Sequence, residues 1–299
     1  MKNQTSGLLK AIRNPFYVPK GIGARDAAIL WHDGVLHCFY TASFRGKETF
    51  YSHIEHVCSR DLVSWERCPD VVSDPPIFWS VGNVIHVGGE WVLCMQDYRV
   101  PPGEKWAGDD ARLWTTRSAD LMTWDPPVSI NPGGANVNWR PTRRQVDPFI
   151  VEHDGRYWCF YKGGGLGLLV SDDLLHWEEA CVDRPAFAPA DTPDNCTMEN
   201  PCVVRDGDEY VLFFTAMGKG GGLGIAWSRN LTEWRDSRYL AFPKRPWMRA
   251  SNIPNAAMVI DTRADLGVWM MVFDANHDGP HTGELCLAWS QNLTDWECP

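Results

Sequence analysis

The chain is short of several things, and each absence narrows what it can be. No apolar run approaches the ~18 residues that a membrane-spanning helix needs. The opening stretch MKNQTSGLLKAIRNPF holds no apolar segment long enough for a secretory leader, so the expectation is a cytoplasmic protein with reduced thiols, or a secreted one trimmed of its leader. None of the ten cysteines falls in a Cys-x-x-Cys pair, which argues against a zinc site. Cys38 and Cys159 sit inside apolar, strand-like runs (HCFYT, WCFYK), where a free thiol behaves as a small hydrophobe. Basic runs are absent, and 28 Lys+Arg against 38 Asp+Glu give a formal charge of −10, which speaks against a nucleic-acid partner.

Tryptophan, by contrast, is abundant, with 16 in 299 residues. A core rarely needs so many, so some are expected on a binding surface, where flat apolar rings suit the faces of sugars. Five of them end one recurring phrase: SRDLVSW from Ser59, SADLMTW from Ser118, SDDLLHW from Ser171, SRNLTEW from Ser228 and SQNLTDW from Ser290. Repeats at intervals of 53–62 residues indicate a solenoid or a propeller. Between phrases the text is strand-like. ILWHDGVLHCFYT, FIVEHDGRYWCFYK and VVRDGDEYVLFFT each read as apolar run, Asp-Gly turn and aromatic-rich run, which is a hairpin signature. GLGLLVS and GLGIAWS supply a third strand, and Pro-containing segments such as WERCPDVV suit an outer edge strand.

The expectation is an all-β fold, a five-bladed β-propeller of four-stranded antiparallel blades, filling residues 1–299 as one catalytic domain. The phrase itself is structural: Ser and Asp or Asn make side-chain-to-backbone turns, and Leu and Trp pack between blades. The NLT sequons at Asn230 and Asn292 are then turn residues. The last unit stops at WECP, so a strand near Leu8–Ile12 is expected to complete the fifth blade and close the ring, leaving no open sheet edge.

With the Asp-Gly turn as a ruler, Asp26, Asp147 and Glu199 each lie seven residues before the Asp of a turn. Three blades thus place an acid at the start of the innermost strand, converging on one funnel. Blade two offers Val81 or Gly82 there, and blade five Pro254 or Asn255. Carboxylates crowded at a narrow mouth cannot all keep ordinary pKa values, and an acid beside an ionised base is the equipment for glycoside hydrolysis.

Around these residues, RDAAILWHDGVLHCFYT, VDPFIVEHDGRYWCFYK and MENPCVVRDGDEYVLFFT resemble the blade-opening motifs of glycoside hydrolase family 43, and FWSVGNVI, with Trp79, resembles its second blade. The resemblance implies carbohydrate hydrolysis, inverting by preference, with Asp26 as general base, Asp147 tuning the acid and Glu199 as general acid. Asp26-Ala27 departs from the family's Asp-Pro and keeps open the fructan-cleaving relatives, in which the first Asp is a nucleophile. A non-catalytic carbohydrate-binding propeller is the reading from another class. Candidate substrate contacts are Arg25, Trp79, Trp139, Arg144, Trp247 and His277; RPTRRQ could meet an acidic sugar or hold Asp147 by an ion pair. His277 and His281 lack a third ligand nearby, so no protein-held metal site is expected and no cofactor is required, although the resemblance admits an axial calcium ion. KGGGLGLLV and GKGGGLGIAW do not precede a helix and read as hairpins near the funnel rather than phosphate loops.

Overall fold

The structure, a computed structural model, describes residues 2–45, 50–73, 78–98, 108–218, 221–249, 253–276 and 282–299. Its strands come in chain order as antiparallel groups of four. The first group is β1 (Gly23–His32), β2 (Val35–Arg45), β3 (Phe50–Ser59) and β4 (Glu66–Arg67); the second is β5 (Phe78–Val87), β6 (Glu90–Tyr98), β7 (Arg112–Ser118) and β8 (Val128–Ser129). These two join into one eight-stranded sheet through a single parallel pairing, Ser52 with Phe78. Three separate four-stranded sheets follow: β9 (Val146–His153), β10 (Arg156–Lys162), β11 (Leu166–Ser171) and β12 (Glu178–Glu179); β13 (Met198–Asp206), β14 (Glu209–Ala216), β15 (Gly222–Ser228) and β16 (Arg235–Tyr239); β17 (Asn255–Asp261), β18 (Trp269–Ala275), β19 (Glu284–Ser290) and β20 (Trp296–Glu297). The first strands of the groups pack side by side: β1 on β5 and β17, β9 on β5 and β13, β13 on β17. Among the described residues no helix is long and apolar enough to cross a membrane.

The repeated phrase is a turn, as its composition demands. In four copies the Ser hydroxyl accepts the amide of the Leu three residues on, at 2.9–3.0 Å. The Asp or Asn carboxyl or amide oxygen accepts the next two amides, as Asp173 does from Leu175 and His176 at 2.8 Å. Asn230 and Asn292 accept in the same way. Each Leu sits at a left-handed φ of 60–67° and is buried. Burial of a Leu side chain contributes roughly 1.5–3 kcal/mol, enough to carry the backbone strain of that conformation. Trp65, Trp124, Trp177 and Trp234 pack half-buried on the core and Trp296 is buried, so the phrase is a repeated wedge between sheets.

The N-terminal expectation needs correction. Residues 8–12 do not form a strand; Lys2–Ala11 is a helix, α1, whose Leu9, with the following Ile12, is buried in the main core. Leu, Lys and Ala are good helix formers, and the segment has no alternation to hold it extended. The fourth strand of the last sheet is the chain's own Trp296–Glu297. Two residues suffice because β4, β8 and β12 are equally short. It is Asn14–Tyr17 that meets this sheet's edge. Asn14 Nδ2 donates to the Leu287 carbonyl at 2.7 Å, the Leu287 amide donates to Asn14 Oδ1 at 2.9 Å, and Tyr17 bridges Leu285. Val72 on Ile54 and Phe187 on Leu166 make the same bridge on other sheets.

Candidate active site

Every first strand carries one β-bulge at the same place. Pairing to the second strand slips across Asp26, Gly82–Asn83, Asp147–Pro148, Asn200–Pro201 and Ala256–Ala257. An extra residue there bends the strand and re-aims its side chains. Asp26, Asp147, Asn200 and Ala256 take φ of 40–55°, a conformation that Asp and Asn tolerate better than most residues. In the second group the position must be Gly82, since a Cβ there would run into the Pro148 carbonyl and the Cys94 sulfur. The bulges of all five strands line one small pocket.

This geometry corrects the register read from sequence. The turns that close the hairpins are Asp33-Gly34 and Asp154-Gly155, but in the fourth group Asp206 pairs with Glu209, so its turn is Gly207-Asp208. The ruler slips by one. Asn200 holds the position of Asp26 and Asp147, and Glu199 stands one residue earlier, level with Arg25, Val146 and Asn255. The three acids meet nonetheless. Asp26, Asp147 and Glu199 line one cavity of about 670 Å³, together with Arg25, Arg140 and Arg144.

Each acid is held by a different set of partners. Ser80 donates to Asp26 Oδ2 at 3.3 Å, and Ser80 is itself 3.0 Å from the Thr41 hydroxyl. The Asn200 amide donates to Asp147 Oδ2 at 3.3 Å, while the Asp147 amide donates to Gln96 Oε1. Glu199 is ion-paired with Lys162 at the end of β10. Burial raises the Asp26 carboxyl above its ordinary pKa; Asp274 and Glu199 add to this, against Arg25 and the Ser80 hydroxyl. Burial likewise pushes Asp147 up to about 6, helped by Glu199 and Asp26 and opposed by Lys162 and the Asn200 amide.

Of the proposed contacts, Arg25 and Arg144 line the cavity, and Arg25 stands 3.7 Å from buried Asp274. The three tryptophans do not line it. Trp79 is buried, edge-on to Trp114 in a core cluster. Trp139 packs on another cluster and donates to the Cys181 carbonyl at 3.0 Å. Trp247 packs against the main core. Such large rings are claimed by the wedges between sheets before any surface can use them. His277 and His281 lie outside the described residues. Lys162, Asn200, Gln96 and Asp274 were missed. Lys162 ends the apolar run of β10 and Asp274 interrupts that of β18, so a charge at the edge of a buried strand was the available signal.

No protein-family model matches the sequence, and no curated protein matches it. Solved structures do resemble it in fold. An exo-β-1,3-galactanase from Clostridium thermocellum is similar at TM-score 0.66 and 16% identity, over 93% of this chain and 62% of that one. This chain thus spans under two thirds of the galactanase. An exo-1,5-α-L-arabinanase from a bovine ruminal metagenomic library gives 0.66 and 13%, over 95% of this chain and 99% of that one. A family 32 β-fructofuranosidase from Bombyx mori gives 0.65 and 15%, over 96% and 66%. The fold is therefore that of propeller glycosidases, the group the sequence motifs resemble.

Proposed function

We propose that this chain is a glycoside hydrolase built as one closed five-bladed propeller, with the N-terminal Asn14–Tyr17 segment and the C-terminal strand together finishing the fifth blade. The observation that carries the reading is the meeting of Asp26, Asp147 and Glu199 in one cavity, two of them with raised pKa values. The carboxylates of the repeated turns are held by backbone amides in water; these three are half-buried around one cavity, where like charges must share protons.

In the proposed reaction Glu199 protonates the leaving glycosidic oxygen, Asp26 activates a water on the opposite face of the sugar, and Asp147 biases the shared proton toward the acid. Lys162 positions Glu199. Inversion follows the family 43 resemblance; the rival is retention, with Asp26 as nucleophile, which the Asp26-Ala27 departure from the family's Asp-Pro keeps open. The reaction needs no cofactor. The test is incubation with aryl glycosides and plant or algal oligosaccharides, with and without chelator, following the first-released anomer by NMR before mutarotation. Sugar release that survives chelation and is lost in Glu199→Gln supports the reading, and an inverted anomer assigns Asp26 as base. Trapping of label on Asp26 assigns the retaining rival instead. Binding without any release from the wild type makes the chain a carbohydrate-binding propeller.

A further inference from the structure

Asp26, Asp147 and Glu199 do not account for all the charge in the cavity. Lys162 is paired with Glu199, and Arg25 stands by Asp274. Arg140 lines the same wall, half-buried, and makes no hydrogen bond or ion pair among the described residues. Its Nε and Nη2, the side-on edge of the guanidinium, are closed off from solvent and meet no acceptor. Glu179 attracts the guanidinium electrostatically but makes no hydrogen bond to it; its carboxylate accepts from the Tyr161 hydroxyl at 2.8 Å and from the Asn136 amide at 3.3 Å. The guanidinium lies over two rings, its carbon 5.5 Å from the Trp139 centroid and 5.7 Å from that of Tyr161. Gly163 leaves the space it occupies, since a Cβ at that position would collide with Arg140 Nη1. The glycine run after β10 thus makes room for an arginine. Thr142 and Arg144 continue the wall.

Burying a cation without a hydrogen-bond partner is costly, and burial lowers the Arg140 pKa, with Arg144 adding to the effect against Tyr161, Glu179 and Asp109. The unpaired edge has the two-donor spacing that matches a carboxylate, and meeting a ligand in the cavity requires the side chain to turn this edge out of its buried position. We infer that Arg140 binds a carboxylate of the substrate, so that the sugar at this wall is a uronate. This rests on reading the cavity as the substrate cleft.

The test titrates wild type, Arg140→Met and Arg140→Lys by calorimetry with glucuronate, galacturonate, mannuronate, guluronate and iduronate. Each uronate's neutral hexose, its methyl ester and galactose 6-sulfate serve as comparisons. We expect at least one uronate to bind about tenfold or more tightly than its hexose and its ester. Arg140→Met should erase that difference while keeping the wild-type fold by circular dichroism, and Arg140→Lys should restore part of it. Equal binding of acid and hexose, failure of every uronate, or a preference that survives in Arg140→Met overturns the inference. Tighter binding of the sulfate ester than of any uronate overturns the carboxylate assignment. Hydrolysis is read separately: a wild type that cleaves only neutral oligosaccharides, with activity lost in Glu199→Gln, keeps the hydrolase and sinks the uronate. Uronate binding lost in Arg140→Met without any hydrolysis does the reverse.

Discussion

The same side chain behaves in opposite ways in two parts of the molecule. In the repeated turns, Asp61, Asp120 and Asp173 stand in water, each accepting two backbone amides and facing a Ser hydroxyl. Backbone hydrogen bonds hold Asp61 down to about 2 and depress Asp120; Asp173 is depressed first by His176. In the cavity, Asp26 and Asp147 also accept hydrogen bonds, yet burial and neighbouring acids raise both. The difference lies in the donors, two backbone amides for each turn Asp against one longer hydrogen bond for each cavity acid, and in how much water remains to solvate the charge. The turn carboxylates are kept ionised, whereas Asp147 is held at about 6, as suits the proton-sharing role proposed for it.

The largest expected effect separates the two groups by activity. Asp26→Asn and Glu199→Gln should each lower the rate of glycoside cleavage roughly 10²–10⁴-fold, the usual worth of a positioned acid or base. Asp173→Asn should leave that rate unchanged. Initial rates on the best substrate of the panel decide this, and a turn variant as inactive as the cavity variants would break the comparison.

Next in size is the apolar half of the turn. Leu231 is buried at a left-handed φ in a phrase whose polar residues face water. Leu231→Ala should cost about 2–5 kcal/mol in urea unfolding, because the hole between sheets closes only in part. If the loss is no larger than for the polar residues of the same phrase, the wedge is not what holds the sheets together.

A smaller effect bears on Asp147 and stability. Its folded pKa, about 6, lies above the ~3.9 of an unfolded Asp, so the folded state holds this proton more tightly. The resulting stability is present in full below pH ~4 and is lost as the pH rises through 6. Asp147→Asn, neutral at every pH, should therefore be more stable than wild type at pH 7.5 by about 1–3 kcal/mol, with the gap closing toward pH 4. Thermal melts of both proteins across that range check it. An unchanged gap would mean that the carboxyl is not buried among like charges.

How much was readable in advance differs between these same regions. The turns were legible because their chemistry is local: Ser, Asp and Leu at fixed spacing make the hydrogen bonds that their side chains allow, and every copy repeats the pattern. The acids of the cavity were also found, but the ruler that found them was one residue out for Glu199, because DGDE can turn at Gly-Asp as readily as at Asp-Gly. Lys162 and Asp274 went unseen, since pairings between neighbouring groups are set by the assembly and leave no local trace. The tryptophans misled for a related reason: abundance signalled a sugar platform, while five of the sixteen end the repeated phrase and Trp79 and Trp139 serve core clusters. The N-terminal edge was placed on the right sheet with the wrong residues and conformation, since nothing in SGLLKAIRNP marks where a helix gives way to Asn14.

The smallest expected effect concerns the charge of a turn Asp, and the chain has already run part of the experiment. In the fourth and fifth phrases Asn230 and Asn292 stand where Asp61 stands in the first, and their Oδ1 atoms accept the same amides. What the turn requires is the oxygen, not the charge. Asp61→Asn should then melt within about 2 °C of wild type at neutral pH, since an exposed charge in high dielectric adds little. Acid distinguishes them. The Asp61 carboxyl is depressed to about 2, so the stability it contributes is present above pH ~4 and lost as the pH falls through 2. The amide loses nothing there. Relative to wild type, Asp61→Asn should gain melting temperature between pH 4 and 2, whereas Asp61→Ala, lacking the acceptor, should fall below wild type at neutral pH. Parallel pH profiles for wild type and Asp61→Asn would show that the amide hydrogen bonds do not depress this carboxyl, and the contrast with Asp147 would rest on burial of the cavity acid alone.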